Sequence, residues 1–90
     1  MNLLVVSAVW CPSCLILKKQ LKKLSEEYPE LVIKKLDYDF DDVSEYNVGK
    51  ILPVLIIVNN DIEIDRLIGE KSYDEIISFL KENKVIWKIG

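Results

Sequence analysis

The sequence predicts an α/β protein with a mixed four-stranded sheet flanked by helices, in the order strand, helix, strand, helix, strand, strand, helix. Short apolar runs typical of buried strands alternate with amphipathic helical patterns. A helix between the first two strands requires a parallel crossover. Two later apolar runs flank the turn residues Asn59-Asn60-Asp61, which predicts a hairpin that adds an antiparallel edge.

The first strand and helix follow from the N-terminal third of the chain. Leu3 to Val6 is a continuous apolar run, as expected for a strand buried on both faces. A helix is predicted from Pro12 to Glu27, because proline suits the first turn, where its missing N–H would have no partner. Pro29 ends this helix. Its apolar face follows i, i+3, i+7 spacing and consists of Cys14, Leu17, Leu21, Leu24 and Tyr28.

The rest of the chain supplies three more strands and two more helices. In chain order we expect a strand at Leu31 to Leu36, a short helix around Val43 to Tyr46, a strand within 51–58 and a strand at Ile62 to Ile68. Ser72 and Glu75 have the spacing of a capping box that opens the last helix. The apolar tail Val85-Ile86-Trp87 is expected to pack on the domain or to contact a partner.

Composition narrows the class of protein. A chain of 90 residues predicts a single domain over residues 1–90. Its 50% apolar and 30% charged residues are typical of a globular domain. A net charge of −3 does not favour a nucleic-acid partner, and no apolar run reaches the roughly 18 residues of a membrane span. The apolar N-terminus lacks the basic region of a signal peptide, so we expect a cytoplasmic protein, and we expect a monomer.

Both cysteines lie in one short motif, Trp10-Cys11-Pro12-Ser13-Cys14. The N-terminus of a helix stabilises negative charge, so a thiolate should be favoured at Cys11. Cys14 follows nearly one turn later and can reach back to Cys11. Cys11 would attack a substrate disulfide, and Cys14 would then resolve the mixed disulfide. Pro12 and Ser13 would set the helix geometry and the stabilisation of the thiolate between the two sulfurs.

Two other interpretations of the cysteine pair stay open at this point. A zinc site needs about four ligands, and the chain has no histidine and no third cysteine. Zinc would therefore require a second chain or the nearby aspartates, which lack the glycine and terminal glutamate of an EF-hand loop. Those aspartates are expected to cap a helix and a solvated turn, and they are Asp37, Asp39, Asp41 and Asp42. The other interpretation is two inert buried thiols. We expect no metal and no cofactor.

With this motif the chain resembles the thioredoxin superfamily over almost its whole length. The resemblance depends on the cysteine motif, Lys35-Leu36-Asp37-Tyr38-Asp39, Tyr46-Asn47-Val48, Leu52-Pro53-Val54, the hairpin turn and Gly69. It implies a minimal thioredoxin fold, nearer to glutaredoxins in size. It also implies a cis peptide bond before Pro53, beside the active-site disulfide, with the backbone of Leu52 free to pair with a bound peptide. Trp10 would cover the disulfide, and Gly69 would border the same substrate groove.

Two departures from the family pattern affect the chemistry. The dipeptide between the cysteines is Pro-Ser, neither the Gly-Pro of thioredoxin nor the Pro-Tyr of many glutaredoxins. Thioredoxins carry a buried aspartate where this chain has Val5, and Lys35 matches a lysine that often partners that aspartate. Without the aspartate, the proton that leaves Cys14 is expected to pass through water.

The resemblance implies an enzyme, a thiol–disulfide oxidoreductase that reduces protein disulfides and is itself reduced by a flavin-dependent thioredoxin reductase. One alternative is a glutaredoxin-like enzyme that depends on glutathione. The sequence favours it less, because Ile51-Leu52-Pro53 replaces the usual Thr-Val-Pro stretch and Asn59-Asn60-Asp61 offers no Gly-Gly-Asp segment. A second alternative is a redox-inactive binding module with the same fold.

Overall fold

The computed structural model describes residues 2–86 and contains the predicted order of elements. The elements are strand β1 (Asn2–Ser7), helix α1 (Pro12–Glu27), strand β2 (Val32–Asp37), a 3-10 helix (Ser44–Tyr46), strand β3 (Val54–Asn59), strand β4 (Ile62–Ile68) and helix α2 (Tyr73–Glu82). The predicted α/β class and element order are therefore confirmed. No helix in this described range is long and apolar enough to cross a membrane.

The four strands form one mixed sheet in the order β2-β1-β3-β4. Strands β1 and β2 run parallel, with Val5 opposite Lys35 and Ser7 opposite Asp37. The β1–β3 and β3–β4 pairs are antiparallel, so the predicted parallel crossover and antiparallel edge are both confirmed. The β3–β4 hairpin turns through Asn60 and Asp61, whose φ angles of 53° and 65° are those of a type I′ turn.

The two faces of the sheet bury different sets of side chains. On one face, both α-helices pack against β1 and β3, and the core there includes Leu3, Val5, Leu17, Leu21, Leu24, Leu55, Ile57, Ile76, Phe79 and Leu80. The second cluster contains the two cysteines with Leu4, Val6, Ala8, Leu52, Val54 and Ile56. Tyr38, Tyr46 and other half-buried side chains of the β2–β3 connection pack against it. The cysteine pair is thus part of a packed core.

Helix α1 has the predicted bounds, from Pro12 at its first turn to Glu27. Its cysteine and its three predicted core leucines are buried: Cys14, Leu17, Leu21 and Leu24. The helix ends as the backbone N–H of Tyr28 donates to the carbonyl of Leu24 at 2.8 Å, one residue before Pro29. Burial of each leucine stabilises the fold by about 1.5–3 kcal/mol relative to exposure, so this stripe holds the helix on the sheet.

Helix α2 opens with the predicted capping box. The Oγ of Ser72 accepts from the Glu75 backbone N–H at 3.1 Å, and the Glu75 carboxylate accepts from the Ser72 N–H at 3.4 Å. Beyond the helix, Ile86 is buried in the core of the helix-covered face and Val85 packs against it. The predicted packing of the tail is confirmed for these two residues, and Trp87 lies outside the described residues.

The third strand occupies the second half of the range in which it was predicted. It begins at Val54, directly after a proline that has no N–H for a ladder. The short helix predicted around Val43 to Tyr46 is a single 3-10 turn, ended by Asn47 in the left-handed region at a φ of 51°.

Candidate functional site

The two cysteines meet at the N-terminus of α1. Cys11 is the N-cap residue, in an extended conformation, and its carbonyl accepts the first helical hydrogen bond from the N–H of Cys14 at 3.1 Å. The N–H of Cys11 itself donates to the carbonyl of Ala8 at 3.2 Å. Both cysteines are free thiols, 6% and 9% exposed. This geometry places Cys14 about one helical turn after Cys11, within the same small core.

The helix terminus supplies a favourable field for an anionic sulfur at Cys11. The first backbone N–H groups of an α-helix have no partner within the helix and carry partial positive charge. The side chain of Cys11, the N-cap residue, makes no capping hydrogen bond, and the first turn of α1 holds no acidic residue. Pro12 is the exposed first residue of the helix, and Ser13 is half-buried beside it. A thiolate at Cys11 therefore lies at the positive end of the helix dipole, with no competing carboxylate in that turn.

Cys14 sits in the opposite environment. Burial raises the pKa of its thiol to about 11, and the hydrogen bond that it makes with the side chain of Cys11 raises the pKa further, against a lowering by a backbone hydrogen bond from Ala8. At pH 7 a group with that pKa is ionised in roughly one molecule in 10⁴. Cys14 is therefore held as a neutral thiol, and it needs a proton acceptor before it can act as a nucleophile.

Leu52, Pro53 and Gly69 come together beside the cysteine cluster. Leu52 is buried in the same cluster as both cysteines, and Pro53 is fully buried. The predicted cis bond between them is confirmed. The N–H of Gly69 donates to the carbonyl of Pro53 at 2.8 Å. Gly69 has a φ of +90°, a conformation that only glycine adopts readily, so a side chain at this position would strain the backbone.

Trp10 lies at the surface next to the pair, and its indole is 57% exposed. The indole Nε1 donates to the Asp39 carboxylate at 2.7 Å. Its ring meets the ring of Tyr38 edge-on, with centroids 6.3 Å apart. The sequence identified the tryptophan but assigned Asp39 only to a turn. The sequence could have suggested a contact between Trp10 and Asp39, since both residues lie in segments on which the family resemblance depends.

The aspartate cluster after β2 has its carboxylates engaged in turn geometry. Asp37 Oδ1 accepts from the N–H groups of Asp39 and Phe40, and the Asp41 carboxylate accepts from the Asp37 N–H. The Asp42 carboxylate accepts from both the N–H and the hydroxyl of Ser44, which lowers its pKa. The predicted turn role is confirmed for Asp37, Asp41 and Asp42, whereas the N-cap residue of the 3-10 helix is Val43, which makes no side-chain capping hydrogen bond. Among residues 2–86, no group of three or more His, Cys, Asp or Glu side chains is arranged to hold a metal ion.

Two exposed apolar side chains lie near the site, and the sequence analysis did not identify them as functional. Ile51 is 64% exposed, and its Cγ2 would lie 3.5 Å from a Cβ at position 69. Val9, next to Trp10, is also exposed. Ile51 could have been suspected from its place directly before Leu52-Pro53. Together these side chains give the rim of the cysteine site an apolar character.

Comparisons with known proteins agree with this geometry. The family model described as Thioredoxin matches residues 1–82. Thioredoxin of Chlamydia trachomatis serovar D is 32% identical over 79 residues, which cover 86% of this chain and 76% of that protein. Mitochondrial thioredoxin of Mus musculus is 36% identical over 78 residues, covering 83% of this chain. This chain spans 46% of the mouse protein's length.

The solved structures give the same result for the fold. The crystal structure of thioredoxin from Trypanosoma brucei brucei superposes with a TM-score of 0.81 at 24% identity, covering 94% of this chain and 75% of that one. The family model and the sequence relatives extend the agreement from fold to family. With its cysteine pair at a helix N-terminus, the chain belongs to the thioredoxin family of thiol–disulfide oxidoreductases.

Proposed function

We propose that this protein reduces disulfide bonds in other proteins by dithiol exchange through Cys11 and Cys14. The observation that carries the proposal is the position of Cys11 as the N-cap residue of α1, where its carbonyl accepts a hydrogen bond from the N–H of Cys14 in the first turn. This arrangement favours the thiolate form of Cys11 and keeps Cys14 nearby as a neutral thiol.

The exchange takes two substitutions at sulfur. The Cys11 thiolate attacks one sulfur of the substrate disulfide, the substrate S–S bond breaks, and a mixed disulfide with Cys11 forms. Cys14 then loses its proton and attacks the Cys11 sulfur. The Cys11–Cys14 bond forms and the second substrate sulfur leaves with the electron pair. The substrate gains two electrons and two protons, and the protein is left as an intramolecular disulfide. Pro12 and Ser13 keep the two sulfurs at this spacing.

A groove for the substrate is proposed beside the pair. The backbone of Leu52 lies outside the strand ladders of the sheet, where it can pair with an extended peptide next to Cys11. Pro53 and Gly69 are joined by a backbone hydrogen bond and form one wall. The indole of Trp10 supplies apolar contact area on the other side.

The electron donor, location and assembly are also proposals. We propose that a flavin-dependent thioredoxin reductase returns electrons to the Cys11–Cys14 disulfide. The cytoplasm, a monomeric state and a single domain over residues 1–90 stay predictions from the sequence. The mouse relative is a mitochondrial protein, so the compartment needs direct measurement by fractionation.

The first test is the reduction potential of the cysteine pair, measured by alkylation across a dithiol redox series. A protein-disulfide reductant should titrate near about −230 to −270 mV. A value near about −120 to −180 mV indicates an oxidant or isomerase instead. If no intramolecular disulfide forms, the fold serves as a binding module. Regeneration of the dithiol by glutathione, but not by thioredoxin reductase, indicates the glutaredoxin-like alternative.

A second test separates the roles of the two sulfurs. Cys14→Ser should accumulate mixed disulfides through Cys11, because the resolving thiol is gone. Cys11→Ser is the matched control and should accumulate none. Equal trapping by the two variants contradicts the assignment of Cys11 as the nucleophile.

A further inference from the structure

A cleft of about 250 Å³ opens between α1 and the β1–β2 edge of the sheet, and Cys14 lines it. Its floor is largely apolar and includes Val5, which stands where thioredoxins have the buried aspartate. The lining residues that carry side-chain polar or charged groups, apart from the cysteine, are Ser7, Lys18, Lys35 and Asp37. The cleft therefore connects the buried thiol with a small set of charged side chains.

Strand register places two of these charged residues on the α1 side of the sheet. Val5 pairs with Lys35 and Ser7 pairs with Asp37 across the parallel β1–β2 ladder. Residues opposite one another in a ladder project from the same face. Val5 belongs to the core under the two helices, so Lys35 and Asp37 share the face on which α1 lies.

Among the side chains that line the cleft, one carries a carboxylate. An ammonium group has no lone pair with which to accept a proton, and a serine hydroxyl is a very weak base. The carboxylate of Asp37 is the remaining candidate in the cleft. A water molecule occupies about 30 Å³ of liquid, so the cleft has room for a short chain of waters between Cys14 and Asp37. Polar lining on both sides gives such waters hydrogen-bonding partners.

Resting on the proposed function, we propose that the Asp37 carboxylate accepts, through water in this cleft, the proton that Cys14 releases when it attacks the mixed disulfide. The proton passes from the Cys14 sulfur to water as water passes a proton to Asp37. The Cys14 sulfur then forms its bond to Cys11, and the bond between Cys11 and the substrate breaks. Asp37 then gives its proton to the departing substrate thiolate, directly or by way of solvent, which restores the carboxylate.

The surroundings fix the position of Asp37 and favour an anion at Cys14. Asp37 Oδ1 accepts from the N–H groups of Asp39 at 2.8 Å and Phe40 at 3.2 Å, which fixes the carboxylate at the end of β2. Lys18 and Lys35 bring positive charge to the cleft, and they favour the Cys14 anion once it forms. The other titratable group that faces Cys14 is Cys11. Asp37 would thus accept a proton through water, and in the second step alone.

The test follows the two steps separately with dithiobis(nitrobenzoate) as the substrate disulfide. Stopped-flow absorbance records one coloured thiol when Cys11 attacks and a second when Cys14 resolves the mixed disulfide. Asp37→Asn keeps an Oδ1 acceptor for the turn but removes the base. We expect an unchanged first step and a second step slower at pH 7 by on the order of 10²-fold, the lower range for a positioned general base. Asp37→Glu should restore most of the rate.

The pH profile distinguishes proton transfer from a structural role. In Asp37→Asn the second step should accelerate about tenfold per pH unit between pH 6.5 and 8.5, as hydroxide replaces the missing base, while the unmutated protein shows a shallower rise. Asp42→Asn is the matched control, because it removes one charge from the same connection outside the cleft. Its second step should keep the unmutated rate and profile.

The proposal is overturned if Asp37→Asn leaves the second step unchanged, slows both steps equally, or matches Asp42→Asn. It is also overturned if Asp37→Glu fails to restore the rate. Failure of the proposed function gives a different result, because the unmutated protein would then release no coloured thiol, or one without the second. The two hypotheses can therefore fail independently.

Discussion

The indole Nε1 of Trp10 donates a 2.7 Å hydrogen bond to the carboxylate Oδ2 of Asp39, 29 residues away in the chain. This bond joins the segment that leads into α1 to the segment that leaves β2. Tyr38 adds an edge-on ring contact on the same side. The exposed tryptophan beside Cys11 is therefore fixed in direction by the β2–β3 connection.

We expect this bond to give a measurable coupling energy. Hydrogen bonds between charged and neutral groups contribute about 1.5–3 kcal/mol when shielded, and exposure at this site should reduce the value to about 1 kcal/mol. A double-mutant cycle of Trp10→Phe and Asp39→Ala, measured by urea unfolding, gives this energy directly. A coupling energy near zero would show that the two side chains act independently in solution.

The pKa of Cys14 predicts a loss of stability in alkaline solution. Its value rises from the ordinary 9.0 to about 11 on folding, so the folded state binds the proton more tightly than the unfolded state. The stabilisation is fully present below pH 9 and is lost as the pH rises through 11. The linkage amounts to about 2–3 kcal/mol.

The measurement for this prediction is urea unfolding under reducing conditions from pH 8 to 11.5, compared with Cys14→Ser. The difference between the two proteins isolates Cys14, because both retain Tyr73, whose pKa is also raised, to about 12. Parallel stability curves for the two proteins contradict the predicted ionisation.

Arg66 of strand β4 makes hydrogen bonds to the backbone at the end of the 3-10 helix. Its guanidinium donates to the carbonyls of Tyr46 at 2.6 Å and Asn47 at 3.4 Å, and pairs with the Glu63 carboxylate. Lysine cannot reproduce this fork, so Arg66→Lys should cost about 1 kcal/mol of unfolding free energy. Glu63→Gln should cost about 0.5 kcal/mol or less, because it removes only a partly exposed ion pair. Equal losses in chemical denaturation would show that the two carbonyl contacts contribute nothing.

The capping box of α2 should be a local source of stability. Ser72→Ala removes the acceptor for the Glu75 N–H and should lower the free energy of unfolding by about 1 kcal/mol. Ser25→Ala is the matched control, since Ser25 is an exposed residue inside α1, and alanine there should be neutral or slightly stabilising. Thermal unfolding of both variants checks this, and a loss in the Ser25 variant as large as in the Ser72 variant would refute it.

Truncating two apolar residues of α1 to alanine should lower stability by very different amounts. Leu24 is 1% exposed in the core under the helices, whereas Ile16 is 50% exposed. Leu24→Ala should cost about 2–5 kcal/mol through lost burial and a residual cavity. Ile16→Ala should change stability by about 0.5 kcal/mol or less. Similar losses in urea unfolding would mean that Ile16 is covered in solution.

Sequence patterns predicted the fold where local chemistry decides structure. Pro12 and Pro29 bracket α1, the turn residues around Asn60 specify the hairpin, and Ser72 with Glu75 opens α2. Each of these signals acts within a few residues, so it can be read without knowing the rest of the structure. The apolar run at 51–58 did not by itself give the start of β3, which lies at Val54 because Pro53 has no ladder donor.

The site was predictable in its cysteines and less so in its supporting contacts. The spacing of Cys11 and Cys14 around Pro12 is enough to predict that both cysteines lie at the N-terminus of a helix. The bond of Trp10 to Asp39 and the fork of Arg66 join residues far apart in the chain. No periodicity or capping rule encodes such pairs, because they depend on how the strands align in the finished sheet.

Cys11 occupies a position at which helices most favour serine, threonine, asparagine or aspartate, and its side chain makes no capping hydrogen bond. Such a cap is worth about 1 kcal/mol. A chain selected for stability alone would therefore carry a different residue there. The positive end of the helix, left without a capping side chain, is the place where a sulfur anion is favoured, so reactivity and thermostability trade off at a single residue.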